Sequence, residues 1–398
     1  LSAYSARPDA PPNPEEPVDW EPVLAECIAF AQRLIRTPSM PGQEAALAAL
    51  VAEELRQLGY DEVWGDAAGN VYGRLHGVDR SLPALVLNTH LDHVDPGDLS
   101  LWSVPPFAAE IDGDRLIGRG SCDIKGPLAV QVYAGAALRR AGQRPRRDVV
   151  FCGVVEEEVG GAGAIYWAEH LDYPVELVVL GEPSSNTLAL GHRGILQLWL
   201  TFHGRSVHAS APERGLNPNY ALAAFLGGLE AAVAALPAHP ILGPTSVAPT
   251  ILQVDTTSGN VTPAWARVLL DFRTATESVD TLAALIDRLA AGAPHTLAYA
   301  EGLEPMAGSS APLAGFYTPP DSPLVARTAA AIAAGMGRPP ELTRYRFATD
   351  GRHFAPHGLA VVGYAPGEEH MAHTAGESIS LNQMAESLRG YVALLRDF

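Results

Sequence analysis

The chain has 398 residues, 47% of them hydrophobic, enough to bury a large core and too apolar for a disordered protein. Its 27 lysines and arginines against 45 acids leave a formal charge of −18, and no basic run offers nucleic acid a binding face. No apolar run approaches the ~20 residues of a membrane span, and three cysteines, Cys27, Cys122 and Cys152, are too few for a disulfide framework, which fits a reducing, cytoplasmic setting.

In chain order, residues 1–17 are rich in Pro, Ala and Glu and read as a loose arm. They lack the basic start and apolar middle of a signal peptide. Apolar residues at helical spacing predict helices over 20–35 and 43–58, the second stopped by Gly59. Residues 63–75 read as a hairpin around Gly69-Asn70. The apolar run from Ala84 is short enough for a buried strand, and it ends at His90. An Ala-rich helix follows Asp123 over 126–141. Strand 148–155 leads into Glu156-Glu157-Glu158, helix 162–170 follows, and strand 176–180 ends at Gly181-Glu182-Pro183. Strands alternating with helices predict an α/β domain with a largely parallel sheet, whose ligands gather at the carboxyl ends of strands. His90, the glutamate trio and Glu182 all fall at such ends.

The pattern then changes. Strand 195–202 alternates as if half-exposed, then come helix 217–236, strands 246–254 and 265–272, helix 279–289 and strand 296–300. This β-α-β-β-α-β order predicts a ferredoxin-like domain inserted into the first. After a Pro- and Gly-rich stretch over 304–323, helix 324–336, strand 359–364 and helix 380–395 close the chain. The expected division is a catalytic domain in two parts, 1–190 and 306–398, around an inserted domain at 191–305.

Taken singly, the polar residues at these ends are weak signals. Asp123 could cap a helix, the glutamates could form a solvated acidic turn, and His373 could be an ordinary loop histidine. Together they supply imidazoles and carboxylates, the ligands of a zinc-type divalent ion. Two metals sharing one carboxylate would use two imidazoles and three carboxylates, a count that His90, His373, Asp123, one of the trio and Glu182 match.

The ordered motifs resemble the co-catalytic zinc peptidase and deacylase family, which includes acetylornithine deacetylase, succinyl-diaminopimelate desuccinylase and glutamate carboxypeptidase. They are His90-Leu-Asp92-His-Val-Asp-Pro-Gly-Asp with Trp102 and Pro106-Phe107, Gly118-Arg-Gly-Ser-Cys-Asp-Ile-Lys-Gly, Glu156-Glu-Glu-Val-Gly-Gly, Gly181-Glu-Pro and Ala372-His-Thr. The resemblance covers nearly the whole chain after about residue 20. It implies two divalent ions, zinc by default with cobalt or manganese as substitutes. Asp123 would bridge them, with Glu182 and His90 on one and Glu158 and His373 on the other. Asp92 would orient His90, and Glu157 would be the general base. A frame with Glu156 as base and Glu157 as ligand stays open, although Val159-Gly160-Gly161 favours the first. The resemblance further implies that the inserted domain is a dimerising lid. From it His208 would reach the partner's site to stabilise an oxyanion, while Asn260 and Arg273 would bind substrate. Arg273 could equally be satisfied by an acidic neighbour. Arg352, in Thr349-Asp-Gly-Arg-His-Phe, would clamp a substrate carboxylate.

The expected activity is hydrolysis of an amide bond in a small N-acyl amino acid by a homodimeric enzyme. A dipeptidase or carboxypeptidase using the same site is the alternative, and a catalytically silent binding protein on this fold is a rival of another class.

Overall fold

The computed structural model describes residues 18–300 and 315–398. The loose arm expected over 1–17 lies outside them. Among the described residues, no helix is long and apolar enough to cross a membrane. The chain divides into two compact units. One runs up to Ala189 and includes Thr318–Leu342 and Gly358–Phe398. The other comprises Leu190–Tyr317 and Thr343–His357.

The first unit is built on a mixed, mostly parallel sheet. Its strands run in the order Glu62–Gly65, Val71–Leu75, Val149–Val154, Ala84–His90, Val175–Leu180 and Val361–Gly363. The first two form the expected antiparallel hairpin. The last four are mutually parallel. All seven residues of Ala84–His90 are buried, as the apolar run demands of a strand covered on both faces. Helices Trp20–Ile35, Gly126–Arg140 and Leu381–Asp397 pack together beside the sheet. Thirteen residues of Gly126–Arg140 are buried, which explains why that helix is apolar all round.

Register decides where the chemistry lies. His90 pairs with Val154, Asn88 with Leu180, and Leu180 with Gly363. The four parallel strands therefore end along one edge, and the segments that leave it carry the candidate residues. A small antiparallel sheet of Ser378–Ser380, Arg115–Ile117 and Glu110–Asp112 stands beside this edge. Sequence pattern does not reveal it, because strands of three residues are too short to show alternation.

The second unit holds a four-stranded antiparallel sheet in the order Ser246–Val254, Trp265–Thr274, Gly194–His203 and His295–Tyr299. Every second residue of Gly194–His203 and Trp265–Thr274 is buried. Leu196, Leu198, Leu200, Phe202, Val268, Leu270 and Phe272 meet Leu222, Phe225 and Leu229 of helix Pro218–Ala234 and Leu282 and Ile286 of helix Val279–Ala290. Side-chain oxygens of Asn217 and Ser278 start the two helices by accepting from the Asn219 and Thr281 amides.

Candidate active site

His90 ends its strand with its imidazole sealed, 1% exposed. Its Nδ1 lies 3.3 Å from Asp92 Oδ1 and its Nε2 3.0 Å from Asp123 Oδ1. The other oxygen of Asp123 lies 3.1 Å from His373 Nε2, which is also 3.1 Å from Glu158 Oε1. Glu182 Oε1 stands 3.9 Å from His90 Nε2. One carboxylate thus spans two imidazoles, each with a second acid beside it. Donor atoms of His90, Asp123 and Glu158, and of His90, Glu157 and Glu182, all fall within 4.8 Å of one another.

The two ends of the bridge differ. His90, Asp123 and Glu182 side chains are at most 9% exposed, whereas His373 is 51% exposed. His373 adopts a left-handed φ of 61°, as does Glu156 at 59°, a conformation that costs a non-glycine residue roughly 1–3 kcal/mol and is held only by its surroundings. Asp92 supplies part of that hold. Besides facing His90, it accepts hydrogen bonds from the Glu157 and Glu158 amides at 3.1 and 3.0 Å. The turn that presents both glutamates is therefore pinned to the strand end that presents His90. Glu156 turns elsewhere: its amide donates to Glu44 Oε1 at 3.1 Å, and its carboxylate is in neither donor group.

Electrostatics show what the cluster is built to hold. Burial disfavours a charged His90, yet the hydrogen bonds to Asp123 and Asp92 outweigh it and raise the imidazole well above its ordinary value. Asp123 and then Glu158 hold His373 up at about 10. Burial pushes Asp123 up, but the hydrogen bonds to His373 and His90 prevail and lower it. Two imidazoles kept cationic by surrounding carboxylates mark a pocket that stabilises positive charge. Tetrahedral coordination at zinc-like bond lengths puts ligand atoms about 3.3 Å apart. The separations of 3.0, 3.1, 3.1 and 3.9 Å bracket that value, so the donor set fits a pair of divalent cations.

One residue of this site escaped sequence reasoning. Glu377 is fully buried and accepts from the amides of Gly120, Cys122 and Asp123 at 3.0, 2.9 and 3.0 Å, and from Arg119 Nη1 at 2.5 Å. It shapes the loop that presents Asp123. No motif contains it, and a lone glutamate before a short strand carries no signal that could have found it.

The remaining candidates lie in the second unit. His208 bonds Ser210 Oγ at 2.7 Å through Nδ1, and the Ala209 amide donates to the Asn260 carbonyl at 2.9 Å, so the structure brings these two loops together. Arg273 pairs with Asp271 at 2.9 Å, the self-satisfied arrangement the sequence allowed for it. Arg352, on the short helix Gly351–Phe354, donates from Nε to His353 Nε2 at 3.0 Å.

Known proteins bear on this geometry. The chain is 31% identical over 350 residues to a succinyl-diaminopimelate desuccinylase of Methylorubrum extorquens, covering 82% of this chain and 87% of that protein. It is 30% identical over 391 residues to the protein of the same name from Caulobacter vibrioides, covering 94% and 97%. Among solved structures, aminopeptidase PepT from Bacillus cereus superposes with a TM-score of 0.74 at 20% identity, covering 95% of this chain and 98% of that one. Bacillus subtilis YXEP, a dinuclear metal-binding peptidase, superposes at 0.68 with 16% identity, covering 95% and 100%. At that identity the structural likeness speaks for the fold. Residues 86–397 match the family described as peptidase family M20/M25/M40. With a match over most of its length, and with Asp123 set between two imidazoles, this chain belongs to that family.

Proposed function

We propose that the chain is a metal-dependent hydrolase that cleaves the amide bond of small N-acyl amino acids. The observation that carries this reading is the single carboxylate of Asp123, shared at 3.0 and 3.1 Å between His90 and His373. His90, Asp123 and Glu182 would hold one ion and Asp123, Glu158 and His373 the other, with zinc the expected metal and cobalt or manganese as substitutes. When bound, such a pair polarises the scissile carbonyl and lowers the pKa of water. Glu157 takes the proton from the attacking water at a carboxylate oxygen and passes it to the leaving nitrogen. Asp92 keeps Glu157 at that post by accepting its backbone amide.

The second unit supports a ferredoxin-like lid, expected over 191–305 and inserted between catalytic segments 1–190 and 306–398. Its strands, numbered in chain order, lie in the spatial order 2-3-1-4, with both helices on one face. We read this lid as the dimer contact. Among the described residues its edge strand Ser246–Val254 is unpaired on one side, and it is exposed along most of its length, with Leu252 62% and nearby Tyr220 78% exposed. An apolar edge of that length is a template for a second copy. In the dimer, His208 would stabilise the oxyanion in the partner's site, Asn260 and Arg273 would help bind substrate, and Arg352 would clamp the substrate's carboxylate. The three buried cysteines, none of them in a disulfide among the described residues, suit a cytoplasmic enzyme.

A mass-spectrometric screen of the zinc-loaded protein against mixed N-acyl amino acids and dipeptides tests the reading. Release of free amino acid from the acyl substrates is expected, with a loss of at least about a thousandfold in Glu157→Gln. Cleavage of dipeptides alone would favour the exopeptidase alternative, and no cleavage of either would refute the reading.

A further inference from the structure

Apart from the catalytic cluster, the first unit contains a cavity of about 380 Å³ between the hairpin Glu62–Leu75 and the segment from Tyr166 to Tyr173. That size lies in the range of small-molecule sites, about 300–1,000 Å³. None of the catalytic candidates lines it. Arg74 is among its lining residues. The guanidinium carbon lies 5.3 Å from the ring centroid of Trp64 and 5.1 Å from that of Tyr173. Two aromatic faces hold the cation and leave its fork only partly used. Nη1 reaches Glu62 at only 3.4 Å, and Nε is buried with no hydrogen-bond partner among the described residues. A guanidinium carries five N–H donors in a fixed fork that suits a carboxylate. Fixed by its rings and short of acceptors, this one is poised for an anion.

The walls narrow the choice of anion. Glu62, 44% exposed on its side chain, pairs with the arginine, and two further carboxylates, Asp66 and the exposed Asp172, line the same cavity. They disfavour a plain anion and favour a molecule that also carries a positive group. The ring of Tyr166, stacked on His170 at 4.0 Å, and Leu171 supply an apolar wall.

We propose that this cavity binds a free α-amino acid with a bulky apolar side chain. Its carboxylate lies on Arg74, its ammonium faces Glu62 and Asp172, and its side chain rests on Tyr166. An occupant has a mechanical route to the catalytic turn. The cavity residues Asp66 and Tyr72 both bond the Asn70 amide, whose other contacts are the Val155 amide and the Gly163 carbonyl, at either end of the turn carrying Glu157.

Calorimetric titration of the zinc-loaded enzyme with L-phenylalanine, phenethylamine and 3-phenylpropionate tests the proposal. L-phenylalanine should bind, and the two probes lacking one charged group should bind at least about tenfold more weakly. Arg74→Met should weaken L-phenylalanine at least about tenfold while leaving kcat/KM within about twofold, which separates this cavity from a product bound at the catalytic centre. Asp172→Asn, a surface change that spares the fold, should weaken L-phenylalanine but not 3-phenylpropionate. Absence of saturable L-phenylalanine binding, or binding unaltered by both substitutions, would overturn the proposal.

Discussion

Glu377 shows how much of this site depends on a residue that touches none of its chemistry. Its carboxylate gathers three amides of one loop and a guanidinium. Burial, with the charge of Asp123 behind it, pushes its carboxyl up to about 7. Glu377→Gln turns one acceptor oxygen into an N–H donor facing other N–H groups, which the loop can relieve only by moving. The expected outcome is a loss of divalent-ion affinity of about 10–100-fold with the fold retained, measured by chelator competition. Unchanged affinity would show that the loop keeps its shape without this anchor. Residues such as His90, Asp123 and Glu182 were legible because each follows a readable strand or opens a readable helix. Glu377 was not, because its role depends on a neighbour more than 250 residues away in the chain. The same limit applies to Asp92. Its place beside His90 could be read, but its grip on the Glu157 and Glu158 amides is a tertiary fact.

Among elements, the edge strand Ser246–Val254 carries the most consequence for assembly. Eight of its nine residues are exposed, so its outward backbone groups meet solvent or another chain. If it pairs two lids, Leu252→Lys should raise the dimer dissociation constant on the order of a hundredfold. Sedimentation would then show monomers at concentrations where the parent protein is dimeric. Mixing Glu157→Gln with His208→Ala chains should restore part of the activity, since one site in each mixed dimer draws both intact residues. No rescue despite demonstrated exchange of subunits would place His208 outside the partner's site. The long elements were legible because periodicity needs length: helix Trp20–Ile35 and strand Ser246–Val254 have the bounds their patterns imply. Strand Leu188–His192 was hidden, since all five of its residues are buried and it follows a turn without an alternating lead.

For the whole molecule, one part of the pH response comes from groups buried in their neutral form, and His192 is a clear case. Burial, opposed by the Arg193 carbonyl and aided by the Arg352 charge, pushes this imidazole down to about 4. The unfolded chain therefore takes up the proton first, from about pH 6.5 downward. Stability from this group is complete above that value and is lost as pH falls toward 4, by up to roughly 3 kcal/mol. Thermal unfolding of the second unit should fall along this limb, and His192→Gln should flatten it. An unchanged slope in that variant would assign the limb to other groups. Sequence reasoning did not mark His192, and the membership of Thr343–His357 in the second unit has no composition signal, because both depend on which distant segments pack together. The edge along which the parallel strands end also has a consequence in time. Synthesis delivers His90, Asp123, Glu157, Glu158 and Glu182 first, then most of the second unit, and only afterwards Val361–Gly363 and His373. At about 5–20 residues per second the interval lasts on the order of ten seconds or more. Throughout it, a cluster of carboxylates waits with one imidazole. On the proposed assignment, no nascent chain carries both halves of the centre until His373 has emerged beside Asp123.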